Sequence, residues 1–200
     1  MTYERKDAHF RRAKAQGLRA RSAFKLAELD DRYRLLRRGH RVVDLGAWPG
    51  GWVQVAAERI GPTGRIVAVD LVRLDPLPFA HAVLVTGDIR DPAVVMSLQD
   101  AMGGLADVVL SDLAPKLTGV RSTDEARCAE IVETILGALP RLLRPGGTAL
   151  VKLFMGPQYQ EVLAQFRSAF LEVKTTRPEA SRRASAELYV IGKGFREGCG

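Results

Sequence analysis

Cysteine is nearly absent, with only Cys128 and Cys199 in 200 residues. Two thiols so far apart exclude a disulfide framework and a cysteine-built zinc cluster. Histidine is as scarce: His9, His40 and His81 show none of the paired spacings that hold metals, so no metal is expected. No apolar run approaches the about 20 residues that cross a bilayer. The opening stretch, Met1 to Asp7, lacks the apolar centre of a secretory leader. A cytoplasmic protein without a membrane partner is expected. Internal repeats are missing too, which excludes solenoids and propellers.

Acidic residues are scarce in one part of the chain only. Residues 1–41 hold thirteen Lys and Arg against five Asp and Glu, a balance of +8, whereas residues 42–200 sum to −1. All the excess positive charge precedes the first strand. A charge run is often only a solvated face, but one this one-sided is the footprint of a polyanion binder, most simply a nucleic acid. Arg11, Arg12, Lys14, Arg19 and Arg21 are therefore candidate RNA contacts. Residues 1–20, poor in apolar positions, are expected as a basic arm, and residues 21–200 as a single domain, since 46% hydrophobic residues suffice for one core.

From Ser22, a candidate cap, apolar residues recur at helical spacing through Leu36, carrying Lys25, until Gly39 ends the helix. A strand through Val42 and Val43 ends in Asp44-Leu45-Gly46-Ala47-Trp48-Pro49-Gly50-Gly51-Trp52, and Val53 to Ile60 follows as a helix. Strands at Arg65–Asp70, Ala82–Thr86 and Ala106–Asp112 then alternate with a helix at Asp91–Met102. A polar loop at Lys116–Thr123 precedes a long helix, Asp124–Leu143, which Arg144-Pro145-Gly146-Gly147 breaks. Thr148–Phe154 is the fifth strand, Tyr159–Ala169 a helix, and Leu171–Thr175 and Glu187–Gly192 the last strands. The alternation predicts an α/β protein with a parallel sheet. The last two strands have no room for a helix between them, so they should form an antiparallel hairpin.

The turn after the first strand is the cofactor candidate. A strand must reverse there into a helix whose first amides face a ligand, which Gly46, Gly50 and Gly51 permit. A dinucleotide fingerprint would read Gly-x-Gly-x-x-Gly, and this turn does not. Asp44 instead places a carboxylate where a pyrophosphate would be repelled and a cation favoured. S-adenosylmethionine is such a ligand. Asp70, at the end of the second strand, suits ribose hydroxyls, although nicotinamide enzymes use an acid there as well. Asp88 suits an adenine amino group, or alternatively a helix cap.

Five segments together resemble the FtsJ family of ribosomal RNA 2′-O-ribose methyltransferases: Asp44-Leu45-Gly46-x-x-Pro49-Gly50-Gly51-Trp52, Gly87-Asp88-x-Arg90-Asp91, Ser111-Asp112-x-Ala114-Pro115, Val151-Lys152-x-Phe154 and Ser185-x-Glu187-x-Tyr189. The likeness runs over nearly the whole chain. It departs at Trp48, where bacterial members often carry a small residue.

The resemblance implies a Rossmann-like, class I S-adenosylmethionine-dependent methyltransferase fold: a seven-stranded, mostly parallel sheet in the order 3-2-1-4-5-7-6 with its last strand antiparallel. It implies a catalytic tetrad of Lys25, Asp112, Lys152 and Glu187. Asp44, Gly46, Pro49, Gly50, Gly51, Trp52, Asp70, Asp88 and Asp112 are the implied cofactor contacts. In that sheet order strands four, five and seven are neighbours, so three of the four tetrad residues would share one edge. A plain ion pair would explain Lys152 with Asp112, but not Lys25 and Glu187 as well.

The implied reaction is attack of a ribose 2′-hydroxyl on the sulfonium methyl, with Lys152 orienting or deprotonating the hydroxyl. Lys25 would favour the neutral lysine, while Asp112 and Glu187 would oppose it. The implied partner is ribosomal RNA within the large subunit, at a uridine of the peptidyl transferase A loop. Arg182 and Arg183, beside Glu187, join Arg177 as candidate RNA contacts. A monomer is expected. Methylation of a transfer RNA or another RNA is the nearest alternative, followed by a non-catalytic RNA-binding protein and, further off, a nicotinamide reductase.

Overall fold

The computed structural model describes residues 13, 15–115, 121–156, 158–179 and 187–196, with the backbone alone at 121–125. Seven strands form one sheet: β1 (Arg41–Leu45), β2 (Arg65–Asp70), β3 (Ala82–Thr86), β4 (Ala106–Ser111), β5 (Leu143–Phe154), β6 (Phe170–Thr176) and β7 (Glu187–Phe195). Their order is β3-β2-β1-β4-β5-β7-β6, as the resemblance implied. β1 to β5 pair in parallel, and β7 lies antiparallel between β5 and β6.

The central strands are apolar at consecutive positions because helices cover both faces. One face of each strand, through Val42, Ile66, Ala68, Val108, Leu110 and Leu150, packs on α1 (Ala23–Tyr33) and α2 (Gly51–Ile60). The alternate positions, through Val43, Leu45, Val67, Val109 and Val151, pack on α3 (Pro92–Met102), α4 (Arg121–Leu142) and α5 (Tyr159–Ala169). Among the described residues no helix is long and apolar enough to cross a membrane.

Several boundaries differ from the sequence reading. α1 stops at Tyr33 instead of Gly39, because Arg34 takes a left-handed conformation (φ 54°) and its N–H donates to the Asp30 carbonyl at 2.8 Å. The buried Asp30 carboxylate then accepts the Leu36 N–H at 2.8 Å, and Leu35 and Leu36 enter the core as extended chain. Ser22 is not a side-chain cap; its carbonyl accepts the Trp52 indole N–H at 2.9 Å. The long helix does end just before Arg144–Gly147, at Leu142, but those four residues lie inside β5, which starts at Leu143 opposite Ala106 instead of at Thr148 and absorbs a register shift.

Where the structure describes it, the expected basic arm lies against the domain. Ala13 is buried, Gln54 accepts the Arg19 N–H and donates to the Gly17 carbonyl, and Ala20 lies against Gly51. The segment is packed on α2, because α2 offers a polar side chain that satisfies its backbone.

Candidate active site

Strand register alone brings three expected catalytic residues together. Ser111 at the end of β4 pairs with Val151, so Asp112 stands beside Lys152. Lys152 pairs with Tyr189 and Phe154 with Glu187 across the antiparallel β5–β7 ladder. Residues 187 and 189 share a face of β7. Because β7 runs against its neighbour, its first residue lies at the edge where the parallel strands end. Lys25 comes to the same edge from α1, which packs over that face.

Side chains complete the cluster. Lys152 Nζ donates to the Asp112 carbonyl at 2.5 Å and lies 3.1 Å from Asp112 Oδ1. Lys25 Nζ is ion-paired with Glu187 Oε1 and sits 5.8 Å from the Tyr189 ring centre. Lys25 and Lys152 are both buried. A lysine ammonium placed there is costly without such partners.

Tyr189 links the two ion pairs. Its hydroxyl donates to Asp112 Oδ1 at 2.7 Å and lies 3.5 Å from Glu187 Oε1. Burial, with the two carboxylates adding, pushes its ionisation far above the normal tyrosine range, so it stays a neutral donor. Tyr189 belongs to the Ser185-x-Glu187-x-Tyr189 motif but is not among the expected site residues. The available signal is its spacing two residues after Glu187, which on a strand means the same face.

Beside the cluster a cavity of about 330 Å³ opens at the ends of β1, β2 and β3. Of the expected cofactor residues, Gly46, Asp70 and Asp88 line it, together with Leu113, Ala114 and Pro115. Gly46 is left-handed (φ 82°), and an added Cβ would meet Leu113 at 2.4 Å, so only glycine fits the turn. Each Asp70 oxygen accepts one backbone N–H at 2.9 Å, from Trp48 and from Val72, which fixes the carboxylate and leaves acceptor capacity. From α4 come Arg127, Glu130, Ile131 and Thr134, a wall the sequence pattern did not mark.

Asp44 is fully buried, and neither carboxylate oxygen has a hydrogen-bond partner. Burial first, then repulsion from Asp112 and Asp70, raises its pKa well above the usual carboxylate range. Such a group calls for a cation or a proton. Asp88 does not stand free: Arg90 Nε lies 3.0 Å from both its oxygens and Nη2 lies 2.6 Å from Oδ2.

Four expected cofactor contacts are placed otherwise. Trp52 turns its side chain into the α1–α2 core, with its ring 5.8 Å from that of Tyr189. Its direction follows from its position on the buried face of α2. Gly50 and Gly51 have Arg19 and Ala20 packed against them, so their missing Cβ atoms make room for the chain's own N-terminal segment. Pro49 is half-buried and outside the cavity lining, and Trp48 is exposed beside it.

The FtsJ-like methyltransferase family model matches residues 18–195, which include every element of the sheet and all four expected catalytic residues. The chain belongs to this family. Ribosomal RNA large subunit methyltransferase E of Methanothermobacter thermautotrophicus is 42% identical over 96% of this chain and 91% of its own length. Its namesake in Azoarcus sp. is 44% identical over 95% and 92%. A ribosomal RNA methyltransferase structure from Plasmodium falciparum superposes with a TM-score of 0.78 at 28% identity, over 88% of this chain and 98% of that one. Aeropyrum pernix fibrillarin, at 17% identity over 79% and 68%, shares the fold with a TM-score of 0.59.

Membership in the FtsJ-like family leaves the basic residues to be placed individually. Arg11, Arg12, Lys14, Arg182 and Arg183 lie outside the described residues. Arg19 departs from its expected role: its guanidinium donates to the Asp75 and Pro76 carbonyls at 2.7 and 2.5 Å, tying the N-terminal segment to the loop after β2. Arg21 is half-buried just before α1. Arg177 is exposed one residue past the end of β6, at the catalytic edge.

Proposed function

We propose that the chain transfers a methyl group from S-adenosylmethionine to a ribose 2′-hydroxyl of large-subunit ribosomal RNA. The observation that carries this reading is the continuous chain Lys152–Asp112–Tyr189–Glu187–Lys25, with both lysines and the tyrosine buried, at the cavity's edge. The names of the full-length relatives support the choice of RNA.

The residues suit this cofactor. The orphaned Asp44 carboxylate answers a cationic ligand, Asp70 retains acceptor capacity for ribose hydroxyls, and the cavity walls are mostly apolar, as a nucleoside requires. When bound, the cofactor supplies an electrophilic methyl group on a sulfonium.

The chain's part is positional and protonic. The Asp112 carbonyl and carboxylate take two N–H donors of Lys152, which leaves the nitrogen's remaining position to meet the 2′-hydroxyl. Lys152 orients that hydroxyl and, once its own third proton has passed to solvent, accepts the hydroxyl proton as the oxygen attacks. Asp112 fixes the lone pair's direction, and Tyr189 fixes Asp112. Lys25, held as an ion pair with Glu187, places an ammonium in the same cluster, where it can stabilise the oxygen as it loses its proton.

Labelled S-adenosylmethionine offered with assembled large subunits, protein-free ribosomal RNA and transfer RNA tests this reading. Label at one alkali-resistant ribose of large-subunit RNA is the expected result. Label on transfer RNA alone, or on a base, overturns the substrate; no transfer to any RNA overturns the activity.

A further inference from the structure

The catalytic cluster occupies the carboxyl edge of the sheet, yet much of the positive charge of residues 1–41 is at the opposite edge. The turn that ends α1 exposes Arg34, Arg37 and Arg38 within five residues. β1 begins at once with exposed Arg41, and Arg41 is paired in register with exposed Arg65, the first residue of β2. Neighbouring strands lie about 4.8 Å apart, so two guanidinium-bearing residues stand side by side, where like charges repel.

The turn is held rigidly. Asp30 accepts the Leu36 N–H, Gly39 N–H donates to the Ile60 carbonyl, and His40 N–H to the Arg37 carbonyl. The nearby acids are already engaged: Asp30 and Asp31 face Arg59, and Asp107 accepts from the Arg41 backbone and from Arg144 Nε. Arg65 Nε donates to the Ala101 carbonyl. Among the described residues none of Arg34, Arg37, Arg38, Arg41 and Arg65 has a carboxylate within ion-pair distance.

We propose that this amino-terminal edge is a second RNA-binding surface, on which the five arginines hold phosphates of a segment remote from the methylated ribose. The inference rests on the reading of a large RNA substrate. β1 alone separates the two edges by about 13 Å, and α1 carries Lys25 about 12 Å from Tyr33. A membrane surface is the poorer fit, because the turn buries its two leucines and exposes no apolar anchor.

The test compares the wild type with the triple variant R34Q/R37Q/R38Q, and with the triple lysine variant, which keeps the charge. All three positions are exposed, and circular dichroism checks the fold. On assembled large subunits the glutamine variant should keep kcat within twofold and raise KM about tenfold at physiological salt. Its salt slope should be shallower by about two to three, which corresponds to three lost phosphate contacts. Hydroxyl-radical footprinting of the RNA should show two protected segments with wild type. The variant should lose the one away from the methylated ribose, and the lysine variant should retain both. Unchanged KM, slope and footprint overturn the surface. So does an effect that disappears on protein-free ribosomal RNA, which would assign the edge to a ribosomal protein. If the wild type itself neither methylates nor protects large-subunit RNA, the substrate reading falls and this inference with it.

Discussion

Tyr189 donates to Asp112 across the β4–β5–β7 seam, and its oxygen stands between the two carboxylates of the cluster. The hydroxyl restrains the acid that in turn aims Lys152. Tyr189→Phe keeps the ring that packs on Trp52 and removes one hydrogen bond, worth about 1 kcal/mol. kcat should fall roughly fivefold, with little change in KM for RNA. Steady-state kinetics on large subunits check this; an unchanged kcat would detach Tyr189 from the chemistry.

Lys152→Ala removes the side chain proposed to take the hydroxyl proton. Transfer should drop by about 10²–10⁴-fold, the usual worth of a positioned general base. Cofactor affinity, read by calorimetry, should stay within about threefold, because Lys152 is not among the residues lining the cavity. Substantial turnover by the variant would reduce Lys152 to an ordinary ion-pair partner of Asp112.

Asp44 makes the ligand-free protein pH-sensitive. Its folded pKa is raised by burial, so the folded state keeps a proton that the unfolded chain releases near pH 4. Stability is therefore greatest below that point and declines as pH rises toward the folded pKa. Asp44→Asn should melt higher than wild type at neutral pH, by roughly 2–4 °C per kcal/mol recovered, with the difference vanishing near pH 4. The same variant should bind S-adenosylmethionine at least about tenfold more weakly, because the negative charge that draws a cation lies only two residues behind the cavity-lining Gly46 and is lost. Differential scanning calorimetry with and without cofactor separates the two effects.

Arg90 holds Asp88 in its ionised form: hydrogen bonds from the guanidinium and the backbone keep the carboxyl below its usual range. A depressed acid keeps its charge until the pH falls through the lowered value. In Arg90→Ala the acid limb of cofactor affinity should move to higher pH, and affinity at neutral pH should change by no more than a few fold. Binding titrations between pH 3 and pH 7 report the shift; coincident curves would mean that Asp88 takes no part in cofactor binding.

The sheet was legible in the sequence because its strands are short apolar runs closed by acids, and the edge at which those acids collect follows from parallel pairing alone. Lys152 stood out as a charge inside an apolar strand. Lys25 and Glu187 had no such local mark and came from the resemblance. What stayed hidden has one physical cause: contacts made through backbone carbonyls leave no trace in residue type. Arg19 reads as a phosphate ligand until its guanidinium is seen on the Asp75 and Pro76 carbonyls, and Trp52 as a cofactor contact until its indole is seen on Ser22. The left-handed Arg34 hid the end of α1 in the same way, since nothing but its dihedral marks it.

The pairing of Lys25 with Glu187 closes a loop of 162 residues. Contacts of such long range form late in folding, because the closure entropy is met only after the intervening sheet exists. On a ribosome that releases the chain from its N-terminus, α1 and the basic segment emerge while the strand that completes the active site is still unmade. The newly made protein thus acquires its polycation before its catalytic power.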